Sequence, residues 1–273
     1  MKSTTSKNNK EMNKTIKNLA LLCAVLGLAS CNNEDTPVTQ PNANLNPQEF
    51  LNISYNGKEY SNIPTTYDEN GEFIFLDKDF SKIYEGELKD LSTLSIHLND
   101  ESSIEMFKTL DDNLEKHGVE ISSVPMGNDV LTRTGVSSEE NFLGTVDLWD
   151  DKKFKDTHWQ FGIMTATNPK WVENLGSPYK FNDKCSSLIL TNNLPNDSSK
   201  ELNMGSYTLK YSEATLVFIG YDDRGYSDRT FTALAKPTKK KEFRELKNFN
   251  DKMSSLKLFF ARTGVYTTEG ASK

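Results

Sequence analysis

The chain has 273 residues, with 32 basic and 39 acidic side chains and a formal net charge of −7 at neutral pH. An acidic chain of this kind does not hold nucleic acid by neutralising phosphates. In chain order, the first segment carries five lysines (Lys2, Lys7, Lys10, Lys14, Lys17) ahead of the apolar run LALLCAVLGLA, Leu19 to Ala29. That run is too short to span a bilayer and has the length of a signal-peptide core.

The run ends in Leu28-Ala29-Ser30-Cys31. This resembles the bacterial lipobox, which implies cleavage after Ser30 and lipidation of Cys31; ordinary cleavage near Ser30 is the simpler alternative. Cys23 follows the bulky Leu22 and is a poor second candidate, and Met12 opens a more conventional signal, MNKTIKNLALL. Residues 1–30 are therefore predicted to be a lipoprotein signal peptide. Their loss removes five lysines and one glutamate, leaving 27 basic and 38 acidic residues and a net charge of about −11. Attachment to a membrane then rests on the lipid, since more than one acyl chain suffices for stable anchoring. Only Cys185 remains in the mature chain, so no intrachain disulfide is expected and stability must come from a core.

Residues 31–47, NNEDTPVTQPNANLNP after the cysteine, read as a flexible tether. The acid pair Glu34-Asp35 resembles the export signal of some Gram-negative surface lipoproteins; a solvated spacer explains it equally well. The expected location is the outer membrane, facing the periplasm or the surface.

Residues 48–120 read as a small α+β domain. ISYNGKEYS places an Asn56-Gly57 turn between alternating residues, a hairpin signal. ENGEFIFLD gives a turn and strand, and STLSIHLND alternates with Leu94, Ile96 and Leu98 on one face. A helix is expected next, capped by Ser102 or Ser103, with Ile104, Phe107, Leu110 and Leu114 at helical spacing and Gly118 at its end. The acidic turn at Asp68 lacks the loop length and terminal Glu of an EF-hand, so a plain turn is expected. Residues 121–141 read as a linker.

From 142 to 262 the pattern is all β. TVDLWD, HWQFGIM, SSLILTN, TLVFIGYD, TFTALAK and SSLKLFFAR are strand candidates, with Trp159, Phe161 and Ile163 on one side of theirs. Two stretches repeat. Trp149-Asp-Asp-Lys-Lys-Phe-Lys-Asp156 matches Tyr221-Asp-Asp-Arg-Gly-Tyr-Ser-Asp228, and Phe181-Asn-Asp-Lys-Cys-Ser-Ser-Leu188 matches Phe249-Asn-Asp-Lys-Met-Ser-Ser-Leu256. So 145–191 and 216–262 are two copies of one unit, with a polar insertion at about 193–214 between them. Residues 263–273 are a tail.

This pair of signatures resembles the βγ-crystallin Greek-key motif, over about 120 of the 273 residues. The family writes an aromatic hairpin and then N/D-N/D-x-x-S/T-S, its calcium motif. The resemblance implies a mainly β protein: a C-terminal βγ-crystallin-like Greek-key sandwich preceded by the small α+β domain. It also implies two Ca²⁺ ions per domain. Asp183 and Asp251 would give carboxylate oxygens, Lys184 and Lys252 their backbone carbonyls, and Ser186 and Ser254 their hydroxyls. A hairpin carbonyl near Lys152 or Arg224 would complete each set, with the parts shared across a pseudo-twofold. Ser187 and Ser255 are expected to bond back onto the hairpins. The family's hairpin glycine is Asp156 and Asp228 here; Asp tolerates the left-handed backbone such a glycine adopts. An Asn-Asp turn with serines can also simply cap a strand through side-chain-to-backbone bonds.

Other chemistry is thin. His97 and His158 are expected on outward strand faces and His117 at a helix end. No HExxH, Cys–His zinc pattern, glycine-rich phosphate loop or nucleophile elbow occurs. Cys185 is expected to be a buried small hydrophobe. The chain thus reads as a lipid-anchored, non-enzymatic structural or binding module with an extracellular or periplasmic ligand of unknown identity. The alternatives are a protease inhibitor of the same fold, using the 193–214 insertion, and an enzyme carried by the 48–120 domain.

Overall fold

In a computed structural model, residues 45–119 and 141–263 are described. The signal segment, the site of Cys31, the Glu34-Asp35 pair, most of the tether, nearly all of the 121–141 linker and nearly all of the tail lie outside them. Among the described residues no helix is long and apolar enough to cross a membrane.

The N-terminal part begins with β1 (Glu49–Tyr55) and β2 (Lys58–Tyr67), an antiparallel hairpin. Asn56 and Gly57 both take positive φ, 55° and 73°, the geometry of a two-residue hairpin turn. Asp68 shapes the next turn: its Oδ1 accepts from the amides of Asn70 and Glu72 at 2.8 and 2.9 Å. The chain then forms β3 (Phe73–Phe75). Helix α1 (Lys78–Ile83) is capped by Asp77, which accepts from Asp79 and Phe80 N–H, and runs into a wider turn over Tyr84–Leu88. Phe73, Phe75, Phe80 and Tyr84 meet mostly edge to face beneath it.

The helix expected from Ser102 or Ser103 is half strand. β4 (Ser95–Leu98) pairs with β5 (Ser103–Phe107), and only then does α2 (Leu110–Lys116) begin, capped by Thr109. In β5 the buried residues are Ile104 and Met106, a period of two. The helical spacing of Ile104, Phe107, Leu110 and Leu114 spans two elements and belongs to neither. β5 is held on both sides, by β4 and, in parallel, by β1, and these long-range partners decide its conformation.

The C-terminal part is a mainly β sandwich of two Greek keys. The first motif is β6 (Gly144–Asp151), β7 (Lys155–Ile163), β8 (Lys170–Val172) and β9 (Ser187–Asn192). The second is β12 (Ala214–Tyr221), β13 (Thr230–Ala235), β14 (Lys240–Phe243) and β15 (Ser255–Arg262). Each motif gives its third strand to the other's sheet: one sheet runs β14-β9-β6-β7 and the other contains β13-β12-β15-β8. The two third strands, β8 and β14, are short and have no counterpart among the strand candidates of the sequence. Between the motifs, β10 (Glu201–Asn203) and β11 (Thr208–Lys210) form a short hairpin whose Leu202, Met204 and Leu209 are buried. The polar 193–214 insertion is thus anchored on the core through Leu194, Leu202, Met204 and Leu209.

The two parts share a sheet. β13 pairs in parallel with β4 (Thr230 with Ser95, Phe231 with Ile96, Thr232 with His97), so the second crystallin-type sheet continues into the N-terminal strands as one sheet of nine. Polar side chains stitch this seam. Thr230 Oγ1 donates to Ser95 Oγ at 2.7 Å, and Asn113 Nδ2 reaches both Ser95 Oγ and Thr232 Oγ1. His97 Nδ1 lies 2.8 Å from Thr232 Oγ1.

His97 is therefore not on an outward face. It is 4 % exposed, because α2 covers the side of β4 that would otherwise meet solvent. Its ring packs against His117, tilted by 36° with 4.0 Å between centroids. His117 does end α2, and His158 is partly exposed, stacked on Trp149 at 4.5 Å and bonded to Asp147 at 3.0 Å.

Candidate metal centre

Both aromatic hairpins fold over in the same way. Each needs several residues at positive φ: Lys153, Phe154 and Asp156 at 60–63° in the first, and Gly225, Tyr226 and Asp228 at 61–70° in the second. Asp156 and Asp228 thus adopt the left-handed backbone in place of glycine. The second serine of each octapeptide staples its hairpin. Ser187 Oγ donates to Asp151 O at 2.7 Å and accepts from Phe154 N–H at 3.0 Å. Ser255 Oγ repeats this with Asp223 O and Tyr226 N–H at 2.6 and 3.2 Å.

The octapeptides meet each other across the pseudo-twofold. Asp183 and Asp251 sit at φ 54° and 57°, and their amides donate to Met253 O and Cys185 O, each at 3.1 Å. Ser186 and Ser254 are anchored through their own amides to Trp149 O and Tyr221 O at 2.9 and 2.8 Å. The side chains then cross: Ser186 Oγ donates to Asp251 Oδ1 at 2.5 Å, and Ser254 Oγ donates to Asp183 Oδ1 at 2.7 Å. Each carboxylate is paired with the hydroxyl of the other copy.

One of the two crossed pairs opens into a depression of about 570 Å³, lined by Asn182, Asp183, Asp222, Asp223, Arg224, Asp251, Lys252 and Ser254. Burial pushes the Asp222 carboxyl up to about 6, against the opposing pull of Lys252. Both lysines of the octapeptides turn their ammonium groups elsewhere. Lys184 Nζ pairs with Asp150 at 3.2 Å, and Lys252 Nζ pairs with Glu72 of the N-terminal part. Cys185 is fully buried, and burial raises its thiol far above the ordinary range, which leaves it a neutral core residue.

These residues fit a hard cation. The donors at each crossed pair are a carboxylate oxygen, a hydroxyl oxygen and nearby hairpin carbonyls. The two oxygens of each pair are hydrogen-bonded at 2.5–2.7 Å; to face an ion with bonds of roughly 2.3–2.6 Å the hydroxyl would turn its hydrogen away and the pair would spread slightly. Asn250 Oδ1, next to Asp251, is buried and accepts no hydrogen bond. Among the described residues no group of three or more His, Cys, Asp and Glu side chains is arranged to hold a metal. A cation here would take most of its ligands from hydroxyls and backbone, which suits calcium and not zinc. Asp183 with Ser254 is one candidate pair and Asp251 with Ser186 the other; a hairpin carbonyl near Arg224 or Lys152 would join each, as the resemblance implies. The carbonyls of Lys184 and Lys252 would be the further donors that the motif resemblance implies.

The hairpin staples at Ser187 and Ser255 are legible in the sequence. The pairing of Glu72 with Lys252 is not, since nothing near Glu72 in sequence signals a partner 180 positions away.

No protein-family model matches the chain, and no curated protein is significantly similar to it. Three solved structures are similar in part. A beta gamma crystallin from Ciona intestinalis matches at 16% identity and a TM-score of 0.24, over 41% of this chain and 95% of that one. Spherulin 3A from Physarum polycephalum matches at 22% identity and 0.27, over 48% and 93%. A structure described under the evolution of the eye lens beta-gamma-crystallin domain fold matches at 21% and 0.28, over 48% and 96%. The fold assignment rests on the exchanged third strands and the paired hairpins, and not on these scores.

Proposed function

We propose that the protein is a lipid-anchored outer-membrane or cell-surface module whose Greek-key sandwich binds two calcium ions. The observation that carries the reading is the crossed pairing of Ser186 with Asp251 and Ser254 with Asp183. Two oxygen donors from different copies already face each other, and Ser187 and Ser255 fix the hairpins whose carbonyls would complete each set. A bound divalent ion offsets the mutual repulsion of Asp183, Asp222, Asp223 and Asp251, which share one depression. Ligand held only by the folded state adds RT ln(1 + [L]/Kd), about 2.7 kcal/mol per site at a hundredfold excess over Kd. The module acts by binding or by structural support, without catalysis. Membrane attachment runs through a lipid on Cys31.

Calorimetric titration with calcium tests this. Wild-type protein should give binding heat and a raised melting temperature. Absence of both sinks the metal reading.

A further inference from the structure

We propose that Glu72 is a positioning residue for the Asp183–Ser254 site: it holds the Lys252 ammonium out of the oxygen cradle and so ties cation affinity to the N-terminal part of the chain. The inference rests on the calcium reading above.

Glu72 sits just before β3, in the turn set by Asp68. Its Oε1 receives both Lys252 Nζ and, at 2.7 Å, Arg229 Nη1; its Oε2 lies 3.5 Å from Tyr84 Oη. Arg229 Nη2 reaches on to Lys89 O at 3.0 Å. The pair is sheltered, with side chains 16 % exposed at Lys252 and 17 % at Glu72. The pseudo-equivalent Lys184 behaves differently. It takes Asp150 from its own motif, at 3.2 Å and with 45 % of the lysine side chain exposed. By the repeat, the counterpart of Asp150 is Asp222, yet Lys252 passes over it for a carboxylate of another element.

Place explains the consequence. Asp222 and Lys252 line the 570 Å³ depression and also a second one of about 400 Å³, which Glu72, Asp90, Asp228 and Arg229 border from the other side. They form the wall between the two. With Glu72 in place, the ammonium belongs to the second depression and the wall presents oxygens to the first. Without it, the ammonium is left beside Asp222, on which it already pulls and which lines the cradle. A unit positive charge placed there opposes a divalent cation over a few ångströms, and a negative charge is lost nearby as well.

The experiment is calcium calorimetry on the full chain with wild type, Glu72→Gln, Lys252→Gln and the double variant. Melting curves in chelator check folding and report the metal-free state. Glu72→Gln should weaken one of the two sites by roughly tenfold, which is about 1.4 kcal/mol, and leave the other within about twofold. The double variant should regain the wild-type affinity. Lys252→Gln alone, which keeps the backbone carbonyl at 252, is the reference for the double variant and stands even where Glu72→Gln fails to fold. Unchanged affinity in Glu72→Gln overturns the proposal. So does a loss that Lys252→Gln does not restore. A wild-type protein that binds no calcium overturns the calcium reading and this inference with it, and is distinguished by the wild-type titration alone.

Discussion

Acid should loosen the seam between β4 and β13, and His97 is the group that carries the effect. Its ring is buried against His117, Thr232 Oγ1 and the side chains of α2, with Lys241 of β14 adding positive charge and Glu105 of β5 facing His117 at 3.9 Å. Burial holds the His97 imidazole well below its ordinary range, and His117 is lowered too, against the pull of Glu105. Both are bases with depressed folded values, so the unfolded chain takes up protons first as pH falls. Their contribution is complete above about 6.5 and is lost below it, at a limiting rate of about 1.4 kcal/mol per pH unit for each histidine. Protonation of His97 also sets a charge against the Asn113–Thr232–Ser95 network, which has no carboxylate to receive it. Urea unfolding in chelator at pH 7.5, 6.5 and 5.5 measures this for wild type and for His97→Gln. The variant is less stable at pH 7.5, but its loss between 6.5 and 5.5 should be smaller by about 1 kcal/mol. Equal losses in the two proteins would refute the assignment to His97.

Ser187→Ala and Ser255→Ala each remove two hydrogen bonds and leave a hairpin amide and carbonyl unpaired; each should cost about 2–3 kcal/mol in urea unfolding. Asp156→Gly and Asp228→Gly should be neutral or stabilising by up to about 1 kcal/mol, whereas valine at either position should cost about 1–2 kcal/mol, since both residues stand at positive φ. Cys31→Ala should move the protein from the membrane fraction to the soluble one; retention on membranes would count against the lipid anchor.

Much of the C-terminal part is legible in the sequence, because a duplicated unit states its own symmetry. The two hairpins and two octapeptides mark three strands in each copy, the staples at Ser187 and Ser255, and the left-handed Asp156 and Asp228; the short third strands β8 and β14, which cross to the other copy's sheet, carry no pattern long enough to read. What escapes is pairing between distant segments. Ile104 and Phe107 fall at helical spacing by coincidence, and only β1 and β4 on either side show β5 to be a strand. His97 looks outward until α2 is laid over it. The parallel seam of β13 with β4 leaves no local trace, since Thr230 and Thr232 read equally well on an open edge. Lys252 and Lys184 are identical in the repeat, and only the presence of Glu72 gives them different partners.

The crossed geometry makes the most direct measurement a comparison of double variants by calcium calorimetry. Asp183→Ala with Ser254→Ala strikes one site twice, whereas Asp183→Ala with Ser186→Ala strikes one donor in each. Sites shared across the pseudo-twofold require that the first protein keep one calcium per chain at near wild-type affinity and that the second lose or greatly weaken both. The opposite ranking, or two equal outcomes, would contradict the account.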